Sequence, residues 1–371
     1  MGKTAMNYKY LYVGSYAAKG EPGIYLFDFD PENGKADLKR TFSECDNPSF
    51  LLIEDEAVYA VNELEENSRI TAFKRDALSG ELTKTGELET DGTYACHIGR
   101  VKGTRFLSVA NYGDGRFEAG SLVTIDASED GSDMKICSNI RLSGEGFLNS
   151  TRQECSHIHS TKNDPQTGKL YVADLGFDKV YAYEVDEKGQ AIVSGSAMQI
   201  DLSKGEGPRH FVFSDDARYV YIVAEMGSRV FVYAKNESDS TWDLKQQIST
   251  ISDDYRKMMG KTGNKEVVEN TASEIAFSHD GRYLYVANRG ENTIVCFEVN
   301  KASGELEFIK RFDCGGDFPR HFCITPDDKY MVVADQNSGN IAVFKRNTET
   351  GALEDKTCDY EIKGASFVGF I

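Results

Sequence analysis

Histidine is scarce in this chain, with six in 371 residues, and twice it follows an arginine in the same short phrase, Gly207-Pro-Arg-His210 and Phe318-Pro-Arg-His321. A guanidinium offers a planar fork of donors for carboxylate or phosphate, and an imidazole beside it can carry a proton near neutral pH. Two apolar runs end on charges of opposite sign, Val-Ala-Glu225 and Ala-Asn-Arg289. Together these residues suit an anionic small molecule held by arginines and attacked with help from a base. Histidine pairs can also hold zinc, but arginines repel a cation and the chain has no HxxxH pair. The sequence therefore predicts no metal and no cofactor.

The overall charge sharpens this reading. Lys plus Arg number 42 against 60 Asp plus Glu, a formal charge of −18, with no basic block. Such a field disfavours nucleic acid and anionic membrane surfaces. An anionic substrate must be received by a local arginine cluster. The eight cysteines are scattered without a CxxC, as expected of mostly buried thiols. The first residues lack the apolar core, about 7 to 15 residues long, of a secretion signal, and no run approaches the roughly 18 apolar residues of a membrane span. A cytoplasmic protein, monomeric or weakly self-associating, is the expectation.

Several strands must position these groups. Helical periodicity is nearly absent, and short β-branched and aromatic runs recur between Gly, Asn and Asp clusters. The segments ending at Glu63, Asn111, Asp174, Glu225, Arg289 and Gln336 are copies of one another, and Leu11-Tyr-Val-Gly-Ser15 is a seventh. Each precedes a turn, a third strand and a more polar fourth strand. Six copies are also preceded by a strand, such as Pro208 to Phe213 or Pro319 to Ile324, which the first copy lacks. Its counterpart is Ala365-Ser-Phe-Val-Gly-Phe370 at the far end of the chain. The prediction is an all-β seven-bladed propeller of four-stranded antiparallel blades, one domain over residues 1–371, closed when the C-terminal strand completes the N-terminal blade. The longest intervals between copies hold extra residues at 113–120, 145–154 and 253–271, as surface decoration or a rim over the site, the last with room for a short helix.

Aligning the blades places His97, His159, His210 and His321 at one position of the first strand, with Glu274 there in a fifth blade. A repeated histidine can persist merely as a core hydrogen-bonding group. If these side chains point inward, however, they ring the channel. The preceding position holds Arg209 and Arg320, against serine in other blades. The position that follows the second strand varies as a site should, with Glu63, Tyr112, Leu175, Glu225, Arg289 and Gln336. Antiparallel pairing brings the start of the first strand beside the end of the second, so His159, Arg209, Glu225, Arg289, Arg320 and His321 converge on one face. His279, in Ser278-His-Asp-Gly281, reads as an exposed turn.

These repeats resemble the seven-bladed propeller lactonases, a family that includes propeller-type 6-phosphogluconolactonases and fungal carboxy-cis,cis-muconate cyclase. The resemblance spans essentially the whole chain and is most specific at His157-Ile-His-Ser160, Gly207-Pro-Arg-His-Phe211, Asp280 to Arg289 and Pro319-Arg-His-Phe322. It implies that His159, Arg209, Glu225 and Arg289 form the catalytic group, and that the reaction is opening of 6-phospho-D-glucono-1,5-lactone. In that scheme Glu225, with His159, activates water while Arg209 and Arg289 hold the anion and the oxyanion. His97, His210, Arg320, His321 and Glu274 would complete the binding surface. A muconate-type lactonising enzyme using the same site, or a non-catalytic interaction scaffold, are the alternatives. Other blades fill the Glu225 position with Leu, Tyr or Gln, so the scaffold itself is not expected to demand a carboxylate there.

Overall fold

In the computed structural model, which describes residues 8–113, 119–142, 152–194, 199–259 and 269–371, seven antiparallel sheets form the blades of a propeller. Six have four strands. In the blade that begins with Ile158–Asn163 the outer strand is split, so that Ala191–Val193 and Ile200–Asp201 both pair with Lys179–Val185.

The second strands, such as Tyr10–Ser15, Ala57–Asn62 and Tyr219–Ala224, are buried along their whole length. Sheets cover both of their faces, which is why they read as continuous apolar runs rather than as alternating ones. The outermost strands alternate or are largely exposed, as in Lys35–Phe42. The core lies between blades. One cluster joins Leu11, Val13 and Phe27 to Val332, Ile341 and Val343 of the adjacent blade.

Tyrosines of the second strands clasp the next blade in the chain. The hydroxyls of Tyr12, Tyr221 and Tyr285 donate to the carbonyls of Gly80, Gly304 and Gly351, at 2.5, 2.8 and 2.7 Å. Each of those glycines has a positive φ and lies under a tyrosine ring; a Cβ on Gly304 would sit 2.3 Å from Tyr219. Both the turn and the close approach require glycine there.

Ala365–Phe370 pairs antiparallel with Tyr10–Ser15, with Leu11 opposite Phe370 and Val13 opposite Val368, and closes the ring as the repeat predicts. The 253–271 interval does hold a short helix, Asp253–Met259. Residues 114–118, 143–151 and 260–268 lie outside the described residues. All eight cysteines are free thiols; Cys45, Cys96, Cys296 and Cys314 are buried and the others partly so. His279 sits in an exposed turn, against Asp328. Among the described residues no helix is long and apolar enough to cross a membrane.

Closure by seven terminal residues is testable. Ala365 and Val368 are fully buried, and losing their strand unpairs Tyr10–Ser15 along one edge. A chain ending at Gly364 should lose its cooperative thermal transition or aggregate. Melting at the full-length temperature would show that the ring does not depend on this strand.

Candidate active site

The innermost strand of six blades carries a bulge near its start. Pro208 pairs with Ala224 and His210 with Val223, so two residues, Arg209 and His210, answer to a single partner step. The same shift isolates Cys96, His159, Arg320 and Ser366, and in one blade Ser273 with Glu274. This register corrects the sequence alignment in one respect. His97 pairs with Ala110, but the residue opposite Ala173 is Ser160. His159 therefore stands one position earlier, in line with Cys96, Arg209 and Arg320. The bulge hides this from a comparison of residue types.

The bulge layer faces a cavity of about 520 Å³ at the end of the channel where the first strands begin. Its walls include His159, Glu225, Arg289, Arg320, Arg152 and Glu63. Glu225 follows the strand Tyr219–Ala224, its N–H bonded to the Gly207 carbonyl at 2.8 Å and its carbonyl to the N–H of Ala272 at 3.0 Å. The turn thus fixes the carboxylate between two neighbouring blades. Three guanidiniums surround it: Nη2 of Arg289 at 3.0 Å and Nε of Arg209 at 3.0 Å from Oε2, with Arg152 on Oε1. Burial alone would raise the pKa of Glu225, but Arg289, Arg152 and Arg209 outweigh it and hold the carboxyl well below the usual range. Glu225 is an ionised anchor with little appetite for a proton.

Arg289 is further fixed by donating Nε to the Thr271 carbonyl at 3.0 Å, and it lies over the Phe318 ring. Arg320 lies over Tyr16 and faces Glu63, which accepts from Tyr16 Oη at 2.7 Å and Ser49 Oγ at 2.5 Å. Phe318 (φ 69°) and Tyr94 (φ 50°) take left-handed backbone just ahead of their strands, where Gly207 and Gly364 stand in other blades. Each costs on the order of 1–3 kcal/mol for a side chain, a strain typical of sites that need a particular wall. Both rings line the cavity. Burial first, then Arg209, His210 and Arg320, lowers the pKa of His159 well below that of free imidazole, so it is neutral at pH 7. Its Nδ1 is buried without a partner, which leaves Nε2 as the nitrogen open to the cavity.

Other predicted residues stand elsewhere. Arg209 is buried behind Glu225 and does not line the cavity. His97, His210, His321 and Glu274 form the next layer down, where Oε2 of Glu274 meets His210 Nδ1 at 2.8 Å and His321 Nε2 at 3.4 Å. With Phe50 and Phe367 they plug the channel: Phe50 packs at a tilt against His97, ring centroids 4.4 Å apart, and Phe367 likewise against His321 at 4.6 Å. None of these four lines the cavity. Sequence reasoning missed Arg152, which lies in one of the long intervals and matches no repeat position. It named the variable position that holds Glu63 and Tyr112 without assigning them to the site. Tyr112 stacks on His157 at 4.3 Å and lies within 3.4 Å of Arg152 Nε.

The chain matches the family model "Lactonase, 7-bladed beta-propeller" over residues 10–370 and belongs to that family. It is a lactone-hydrolysing enzyme. It is 32% identical over 323 residues to 6-phosphogluconolactonase of Bacillus subtilis, covering 86% of each chain. It is 31% identical over 364 residues to 6-phosphogluconolactonase of Formosa agariphila, covering 96% of this chain and 98% of that one. The periplasmic gluconolactonase of Pseudomonas aeruginosa superposes with a TM-score of 0.87 at 26% identity, covering 98% of this chain and 99% of that one.

The expectation that the scaffold does not require a carboxylate at 225 is corrected by its three partners. Glu225→Gln leaves three guanidiniums, two of them buried, without their counter-charge and should cost about 3 kcal/mol. Because the folded pKa is depressed, that stabilisation is complete above the unfolded value of about 4.3 and is lost as pH falls from there through the folded pKa. Denaturant titrations should show wild type and variant far apart at neutral pH and converging in acid. Equal stability at neutral pH would mean the ion cluster is not a structural anchor.

Proposed function

We propose that the protein hydrolyses 6-phospho-D-glucono-1,5-lactone to 6-phosphogluconate, in the cytoplasm, where oxidation of a phosphorylated aldose supplies such a lactone. The observation that carries this reading is the charge at the cavity: Arg152, Arg289 and Arg320 in its walls and Arg209 buried behind Glu225, four guanidiniums against the three lining carboxylates Glu63, Glu225 and Glu269, within a chain of net charge −18. An excess of fixed positive charge costs stability unless an anion completes it. The names of the Bacillus and Formosa relatives support the phosphorylated substrate, and that of the Pseudomonas neighbour an unphosphorylated one in another compartment.

The proposed division of labour differs from the sequence reading. Glu225, saturated by guanidiniums, aligns Arg289 and Arg152 rather than taking a proton. His159 is the better base: neutral, facing the cavity, and depressed in pKa partly by arginines whose charge a bound anion would offset. Substrate binding thus raises the basicity of Nε2 as water is positioned. The lactone carbonyl oxygen, gaining charge as water adds, is stabilised by Arg289 and Arg152. The imidazolium then returns the proton to the ring oxygen as the C–O bond breaks. A modest general-base effect of about 10²–10⁴ suffices for so reactive an ester.

The test is hydrolysis of freshly generated 6-phosphogluconolactone against gluconolactone, with Arg320→Ala and His159→Ala. The expected result is a higher kcat/KM for the phosphorylated lactone, loss of that preference in Arg320→Ala, and at least a tenfold fall in kcat for His159→Ala. Equal rates on both lactones would remove the phosphate from the reading. An unchanged rate without His159 would retire it as the base.

A further inference from the structure

The first strands end at the opposite mouth of the channel, where a second cavity of about 650 Å³ opens. It shares no lining residue with the active-site cavity. The layer of Phe50, His97, His210, Glu274, His321 and Phe367 separates the two.

The layer below that plug is two residues further along each strand, on the same face. It consists of Gly369, Leu52, Gly99, Lys162, Val212, Ala276 and Cys323. Lys162 is its one charged member. Among the described residues it makes no hydrogen bond or ion pair. Glu274 acts on it only through space, and its Oε2 is taken by His210 and His321. The cations at the rim are engaged, Arg100 by Glu54 and Lys102 by the Pro165 carbonyl. Lys162 is half-buried, and its unpaired ammonium faces the cavity as a ready partner for an anion.

Much of the cavity wall is apolar, with Phe50, Leu52, Ile98 and Phe367 in it beside the polar His97, Thr161 and Asn163. Gly99 helps keep it open. A Cβ there would come no closer than 3.5 Å to any neighbour, so local packing does not require glycine at that place. A cavity of this size with apolar walls and one unpaired charge suits a small amphipathic ligand.

We propose that this mouth is a second binding site, separate from the catalytic one, which takes an organic monoanion whose carboxylate meets Lys162 and whose apolar chain lies along Phe50, Leu52, Ile98 and Phe367. Burial lowers the proton affinity of Lys162, as expected of a cation without its counter-ion, and the bound carboxylate would restore it.

Octanoate is the probe, titrated calorimetrically into the full chain. The expected result is one-to-one binding, at least tenfold weaker acetate binding, and at least tenfold loss of octanoate affinity in Lys162→Met. That variant keeps the stem and removes an unpaired charge, so its melting temperature should hold or rise. Leu52→Trp, which fills the cavity and keeps the lysine, should also abolish binding. Arg289→Ala, which disables the catalytic cavity, should leave it unchanged. Absence of octanoate binding, equal binding in Lys162→Met, or loss in Arg289→Ala in place of Lys162→Met would each overturn the proposal.

Discussion

A strand that lines a propeller channel ordinarily shows the channel every second side chain. The bulge in six of the seven innermost strands relaxes that limit by setting two successive residues against one partner step. The first residue of each pair supplies the site, with His159, Arg209 and Arg320. The second supplies the plug beneath it, with His97, His210, Glu274 and His321. Without the extra residue the guanidiniums would take the place of the imidazoles, and the floor and the walls of the cavity could not both exist.

Charge then decides what each layer does. Glu225 is one carboxylate among three guanidiniums, and its backbone is tied to two blades, so the cluster is rigid and still positive. In a chain this acidic such a cavity is a local inversion of the field, screened from the surface by the depth of the channel. The plug is nearly neutral by comparison. Its histidines are pushed toward the uncharged form by burial, and the Val368 N–H donates to Nδ1 of His321, which leaves Nε2–H to face Glu274.

The fold was legible because each blade repeats one apolar phrase and because one strand is missing at the start and spare at the end. The convergence of Glu225, Arg289 and Arg320 was legible for the same reason, since all three stand at fixed places in the repeat. His159 was placed a residue out of line: a bulge changes pairing without changing composition, and the eye follows histidine to histidine. Arg209 was visible, but its depth was not, since depth depends on which of two adjacent side chains reaches the cavity. Arg152 comes from a stretch with no copy elsewhere, so nothing in the periodicity could point to it. The lone charge of Lys162 among its six apolar counterparts became meaningful only once register defined the layer.

The tyrosine clasps all point the same way around the ring. Tyr12, Tyr221 and Tyr285 each reach forward to the blade made after their own, and Tyr330 reaches past the end of the sequence to the carbonyl of Glu32 at 3.0 Å, in the first blade. On the ribosome, then, a blade that carries such a clasp emerges with it empty and is finished only by its successor. The last blade finds its successor already waiting, and the final strand seals the first blade in the same event. The first blade made is therefore the last to be finished, because the ring can become whole only after Ala365–Phe370 has been synthesised.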